Sequence, residues 1–406
     1  MMNYLTGNKR FTLMLAFACF TAQGIANGLL GVAWPSMRGT FGLPLDALLS
    51  LLILSTIGYV IGSVAAMDVM RRIGIGRSLL VANVLAAVGL LGYAIAPTWG
   101  VLVLFGILLG WTSGTVGASL NIFVAATRTV RIMNWMHAMY GVGATIGPLI
   151  MTITLGSRVG WPVGYIFAAL VHLFLGLLFI PALRQMDFRG LMPPTDTPIN
   201  KTRSKWSSLS TLRTPIILLG ILLFLFYTGI ETTTGQWSYS LFTEERSMSP
   251  SVAGISISVY WGMLTVGRII FGAAANRIGI PRLLRLSMAG AVFSALLFLV
   301  PTAAGSFAAV ALMGLSLAAI FPTLMADTPN RVGPQQAASA IGLQTGAASI
   351  GLALLPGLAG VLAARLSLEV IGPYLIIFSS LMLLTNEVAI RSARRNRLRV
   401  EAVTSV

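Results

Sequence analysis

The chain has 406 residues and 43.0 kDa, of which 56% are hydrophobic and only 9% charged, with a mean hydropathy of +0.87. A soluble domain carries about 25% charged residues, so this composition excludes one large soluble domain, and it equally excludes intrinsic disorder. The formal charge of +16, from 27 Lys and Arg against 11 Asp and Glu, would suit a nucleic-acid partner if it sat on one face, but its distribution along the chain argues otherwise.

A bilayer-crossing helix needs about 20 mostly apolar residues. Such stretches are predicted at 11–34, 47–68, 78–97, 99–126, 133–156, 161–182, 214–241, 250–275, 282–302, 305–328, 336–364 and 369–391. The first follows Lys9 and Arg10, is longer than the apolar part of a signal peptide and lacks a small-x-small cleavage site, so it reads as a retained helix. Connectors are short except at 183–213, which holds Pro193, Pro194, Pro198, Lys201, Arg203 and Lys205. The predicted organisation is a six-helix bundle over 1–182, a cytoplasmic linker over 183–213, and a second six-helix bundle over 214–406 with a basic tail. The fold class is therefore an all-α membrane protein of twelve transmembrane helices in two pseudo-symmetric halves.

With twelve spans both termini share one side. Of the 27 Lys and Arg, only Arg38, Arg158, Arg246 and Arg365 fall on the opposite side, Arg268 falls within a span, and the other 22 share the side of the termini. By the positive-inside rule that side is the cytoplasm, so the charge records topology in a cytoplasmic (inner) membrane, not a polyanion-binding face. The single cysteine, Cys19, forbids an intrachain disulfide. The two histidines, His137 and His172, do not have metal-pair spacing. No metal and no cofactor is expected.

The chain repeats itself. Residues 72–80 read RIGIGRSLL and residues 277–285 read RIGIPRLLR, an offset of 205 at which Gly62 also meets Gly267 and Gly141 meets Gly346. Each copy follows the second helix of its half. Two six-helix repeats joined by a linker form a transporter plan, with the substrate site expected near the membrane midplane between the halves.

These loops resemble the signature of the major facilitator superfamily, a Gly-x-x-x-Asp-Arg-x-Gly-like segment after helices 2 and 8. The second copy has Gly272, Asn276, Arg277, Gly279 and Arg282, with Asn in place of Asp. The first keeps Arg72, Gly74 and Arg77 but has Met67 and Arg71 at the Gly and Asp positions, with Asp68 nearby. Residues 134–148 (NWMHAMYGVGATIGP), 227–237 (YTGIETTTGQW), 260–268 (YWGMLTVGR) and 341–357 (IGLQTGAASIGLALLPG) are similar to helices 5, 7, 8 and 11 of the fucose-permease-like branch. The resemblance implies alternating access and, for the branch, sugars and related polar solutes, often cation-coupled. Fucose permeases couple protons through an Asp in helix 1 and a Glu in helix 4. Here those places fall at or near Gly31 and Gly117, and neither helix holds a carboxylate.

Polar and ionisable side chains inside spans are costly, about 2.5–3.5 kcal/mol for a centred Asp or Arg on insertion scales. They are expected to face other helices or a cavity. In helix 1, Gln23 and Asn27 lie one turn apart with Gly31 and Trp34 on the same face. Amides beside an aromatic suit a sugar, and amides equally serve helix–helix hydrogen bonding. In helix 4, Asn121 shares a face with Gly114, Gly117 and Ala118, as a substrate contact or as packing. In helix 5, His137 is a candidate for proton coupling or a gate contact, and Tyr140 above it a candidate for substrate. His172 in helix 6 is expected to pack peripherally.

In helix 7, Tyr227, Glu231, Thr234 and Ser238 fall on one face, with Gln236 in the same segment and Gly229 and Gly235 flanking Glu231. Glu231 lies roughly 25 Å from the cytoplasmic start of its helix at 1.5 Å per residue. It is the first candidate for substrate binding and proton linkage; a hydrated outer-face role is the alternative. Arg268 in helix 8 lies only about 13 Å from the cytoplasmic edge, a depth that argues against pairing with Glu231. It shares a stripe with Trp261, a substrate candidate, and Thr265. It either binds an anionic group or clamps the cytoplasmic gate together with Asp68, Arg72 and Arg277. In helix 11, Gln344 is expected at the cavity. The Gly and Pro series at Gly141, Gly143, Gly147 and Pro148, and at Gly342, Gly346, Gly351 and Pro356, read as close-packed rocking interfaces.

The expected function is a secondary transporter of a small polar organic solute, most simply a sugar or sugar derivative, by alternating access and with H+ or Na+ as the symported ion. A multidrug or metabolite efflux antiporter of the same superfamily is the alternative. The chain lacks a phosphate-cradling loop and lacks facing Asp pairs or an HExxH motif, so it is not expected to be a pump ATPase or an enzyme. Its expected partners are the solute, the ion and the lipid bilayer, with no nucleic acid, and it is expected to be a monomer.

Overall fold

The computed structural model describes residues 9–127, 130–157, 159–181, 183 and 214–404. The predicted linker lies outside them except for residue 183. The fold is all-α, as predicted, and the described residues contain twelve helices long and apolar enough to cross a membrane. In chain order they are α1 (Lys9–Phe41), α2 (Leu48–Ile73), α3 (Ile75–Ile95), α4 (Trp99–Thr127), α5 (Val130–Gly156), α6 (Trp161–Phe179), α7 (Pro215–Ser240), α8 (Pro250–Ile278), α9 (Ile280–Leu297), α10 (Ala303–Val332), α11 (Pro334–Arg365) and α12 (Ile371–Thr404). Helix is the only local solution open to such sequences, because in lipid every backbone N–H and C=O must be satisfied within its own segment.

Two helices depart from regularity. The span predicted as continuous over 305–328 is broken into Ala303–Leu317 and Ile320–Val332. Pro322 explains the break: it has no N–H to offer the Ala318 carbonyl, and its ring crowds that same carbonyl. The C-terminal end of α7 widens into a π turn at Leu241–Glu245, closed by Arg246 N donating to Leu241 O at 3.2 Å.

The sequence repeat is a structural repeat. α2 ends at Gly74 and α8 at Gly279, both left-handed (φ 82° and 81°), a conformation that favours glycine. Gly74 N donates to Met70 O (2.8 Å) and Gly279 N to Ala275 O (3.0 Å). The next helix then starts in each case with the amide four residues on, Ser78 N to Gly74 O and Leu283 N to Gly279 O, both at 3.0 Å. All of these positions correspond at the offset of 205.

The chain divides into two compact units. One comprises α1–α6 with Ser238–Gly262; the other comprises the rest of α7 and α8 with α9–α12. In the first unit α1 packs on α5 and α6, α2 on α4, and α3 on α4 and α6. Glycines set these approaches. A Cβ at Gly24 would collide with the Tyr140 carbonyl, one at Gly143 with the Thr21 carbonyl, and one at Gly147 with the Ile25 carbonyl, so α1 and α5 touch backbone to backbone. This agrees with lipid offering no hydrophobic drive between helices, which leaves close van der Waals contact to hold them. In the second unit α9 packs on α10 and α12, and α10 on α11. There Gly351 lies against the Leu225 carbonyl and Gly360 against Trp237, while a Cβ at Gly342 or Gly346 would meet nothing within 4 Å. Large apolar side chains such as Val64, Ile95 and Ile153 are over 70% exposed, as lipid-facing positions are.

Candidate functional site

In the second unit, Glu231 on α7 and Arg268 on α8 form an ion pair, Arg268 Nη2 to Glu231 Oε1 3.5 Å, with the side chains only 15% and 25% exposed. The expectation from depth that they would not pair is thus overturned. α7 and α8 are consecutive crossings and run antiparallel, and helical side chains lean toward their own N-terminus. Glu231 therefore leans toward the basic side and Arg268 away from it. Two extended side chains close the roughly 12 Å left by counting residues.

Tyr227, one turn below Glu231, is 1% exposed, and its buried hydroxyl lies beside both Glu231 and Arg268. Its ring packs on Phe321 (5.6 Å), which packs on Phe224 (5.0 Å). Thr234 spends its hydroxyl on the Ile230 carbonyl. Gln236 leaves its Oε1 buried and unpartnered. Gln344, by contrast, is 3% exposed and accepts from Thr328 Oγ1 at 2.9 Å, with its amide over Gly220; its amide group joins α10 and α11 inside the unit.

The ion pair differs from three others in the protein. Arg38–Glu244, Arg285–Glu387 and Arg331–Asp327 close to 2.7, 2.6 and 2.7 Å, the length of strong charge-assisted hydrogen bonds. Glu231–Arg268 at 3.5 Å is longer than these, and the Tyr227 hydroxyl lies beside both of its groups.

In the first unit, Asn27 on α1 is exposed and donates to Tyr140 Oη on α5 at 3.2 Å. One turn away Gln23 is buried and reaches the Ser113 carbonyl on α4 at 3.5 Å. Exposed His137 sets its ring edge-on to Phe20 at 5.2 Å. Asn121 leaves its Oδ1 buried and unpartnered. Trp261 packs its ring against Tyr260 at 5.0 Å. So Asn27 and Tyr140 meet where α1 and α5 pack, His137 joins that contact through Phe20, and Gln23 turns to α4 instead. Asp68, Arg72 and Arg277 are exposed at the ends of α2 and α8.

Sequence reasoning missed several polar groups. His172, expected at the periphery, is 3% exposed and shares a 3.0 Å hydrogen bond with Asn83 Oδ1, while Asn83 Nδ2 donates to the Leu79 carbonyl at 2.8 Å and contacts Cys19 Sγ at 3.4 Å. This node joins α1, α3 and α6. A hydropathy reading passes over Asn83, though a lone Asn in an apolar helix is the available signal. Arg331 binds Asp327 and reaches Asn386 Oδ1 at 3.3 Å, joining α10 to α12. Arg38 at the end of α1 meets Glu244 in the π turn after α7. No group of three or more metal-ligating residues occurs among the described residues.

Twelve crossing helices in two repeated halves, with a few ionisable groups buried inside the spans, define a membrane transporter fold. The chain belongs to the Major Facilitator Superfamily, which it matches over residues 16–356 and 219–397. It is 24% identical over 324 residues to the glucose/mannose transporter GlcP of Bacillus subtilis, covering 77% of this chain and 78% of that one. It is 26% identical over 185 residues to the galactose-proton symporter of Escherichia coli, covering 43% and 39%. Among solved structures, a mutant form of the nucleoside transporter NupG superimposes with a TM-score of 0.79 at 12% identity, over 93% of this chain and 99% of that one. A bacterial homologue of the lysosomal transporter Spinster gives 0.74 at 12% identity, over 95% and 98%. Likeness at this identity concerns the fold alone.

Proposed function

We propose that this protein is a secondary transporter of a sugar or sugar derivative in the cytoplasmic membrane, of the fucose-permease-like branch, working by alternating access with both termini cytoplasmic. Glu231 binds substrate and links transport to a proton. The Glu231–Arg268 pair carries the reading. A carboxylate is an acceptor only and a guanidinium a donor only, whereas each sugar hydroxyl is both. A vicinal diol can therefore donate to Glu231 and accept from Arg268 at once, and Tyr227 adds a third polar contact beside an aromatic wall suited to an apolar sugar face. The mutual neutralisation of the pair keeps the site tolerable in lipid without solute. The sugar-transporting relatives in Bacillus subtilis and Escherichia coli support the same substrate class, and the latter's proton coupling supports H+ as the ion.

The test is hexose uptake in proteoliposomes across a pH gradient. Glu231→Gln is expected to lower uptake at least tenfold and to flatten its pH dependence; unchanged uptake with unchanged pH dependence overturns the assignment. A second reading, efflux of an amphipathic metabolite, is favoured by the Phe224–Phe321–Tyr227 ring cluster. Thermal shift with hexoses against lipophilic cations separates the two.

A further inference from the structure

The lipid-facing surface of the second unit ends in arginines where α9 and α12 meet. Both helices bear an apolar stripe that protein does not cover. On α9, Leu286 and Phe293 are 66% and 57% exposed, and on α12 Leu384 and Val388 are 60% and 52% exposed. At helical spacing each stripe runs into arginine at its basic-side end: Arg285 and Arg282 below Leu286, and Arg391 below Val388, all exposed. The two helices pack together and are tied by the bidentate Arg285–Glu387 bond at 2.6 and 2.9 Å.

That bond neutralises only one arginine. α9 rises from the basic side and α12 returns to it. Arg282 therefore lies about one turn beyond Arg285, and Arg391 about one turn beyond Glu387, both toward the membrane edge. Glu387 also feels the Arg391 charge, so the cations gather around a single carboxylate and leave an excess of positive charge at headgroup depth. Beyond the span, which ends at Ser392, α12 continues to Thr404, and its sequence adds Arg394, Arg395, Arg397 and Arg399.

We propose that this edge binds an anionic glycerophospholipid from the leaflet on the basic side. Its phosphate is held by Arg282 and Arg391, with Arg285 fixed beside them by Glu387, and its acyl chains lie along the Leu286–Phe293 and Leu384–Val388 stripes. Arginine suits the role because its planar fork engages two phosphate oxygens, and basic clusters at the membrane edge of transmembrane helices are the usual seat of anionic headgroups. A free anion would find the arginines but not the apolar stripes, which is why a lipid is the occupant.

The experiment is native mass spectrometry of the full chain taken from bilayers of equal phosphatidylglycerol, phosphatidylcholine and phosphatidylethanolamine. Retained phosphatidylglycerol is expected to exceed either zwitterionic lipid. The Arg282→Gln/Arg391→Gln double variant is expected to retain at least fivefold less of it. Arg282→Lys/Arg391→Lys, which keeps the charge but not the fork, is expected to retain an amount between the native chain and the Gln pair, and a variant with the four tail arginines changed to Gln is expected to stay within twofold of the native chain. Helix content and monodisperse elution check the fold, and the single Arg282→Gln and Arg391→Gln variants serve if the Gln pair does not fold, each expected to retain at least twofold less phosphatidylglycerol than the native chain. Equal retention by the folded Gln pair, loss confined to the tail variant, or displacement of the lipid by glycerol phosphate as readily as by phosphatidylglycerol each overturns the proposal.

Discussion

Glu231 and Arg268 are conspicuous in the sequence because a chain with 9% charged residues has few to place in its spans. Their partnership was not legible, because residue counting gives the depth of a Cα and ignores the direction of the side chain. Arg268→Ala leaves Glu231 without its counter-charge. The cost is expected to be about 2 kcal/mol, below the roughly 3–5 kcal/mol of a fully buried broken pair because these side chains keep some exposure. Glu231→Gln/Arg268→Gln removes both charges and is expected to regain most of that stability without regaining transport. A double-mutant cycle in detergent checks this; single effects that add within about 0.5 kcal/mol deny the coupling. His172 and Gln344 carry the same lesson. Their positions on a helix are plain, but whether each faces lipid, a cavity or a neighbour depends on which helix stands beside it, and here Asn83 and Thr328 are the neighbours.

Among the elements, glycine placement decides how closely helices approach. The Gly and Pro series of α5 and α11 reads alike in sequence, yet Gly143 and Gly147 abut backbone carbonyls of α1 while Gly342 and Gly346 have open space. Gly24→Val is expected to lower stability by about 2 kcal/mol, the scale of overpacking, because the Tyr140 carbonyl it meets is backbone and cannot turn aside. Gly346→Ala is expected to be neutral or slightly stabilising, since alanine favours helix over glycine by about 0.5–1 kcal/mol. Melting temperatures of the two variants in detergent compare them, and an equal loss in both counts against the geometric account. The Pro322 break shows a related limit: hydropathy ran through it at 305–328, because apolar length is blind to a missing amide proton.

For the whole molecule, the testable quantity is orientation. Cys19 is the only cysteine and is buried, so Cys19→Ser makes a background for single probes. In intact cells an impermeant maleimide is expected to label Ser157→Cys, after α5, and to reach Ser392→Cys, at the end of the last span, only after permeabilisation. The reverse pattern would refute cytoplasmic termini. The number of crossings, the repeat at an offset of 205 and the family were determined by the sequence alone, because apolar length, charge alternation and motif spacing are properties of a line. What only the tertiary structure decided is which buried polar groups meet across helices: Glu231 with Arg268, His172 with Asn83, and Arg331 with Asn386. The physical reason is that such contacts depend jointly on depth, on the lean of each side chain and on which helices are neighbours. In a bilayer, where leaving a polar group unpaired is costly, those three together set the chemistry of the site.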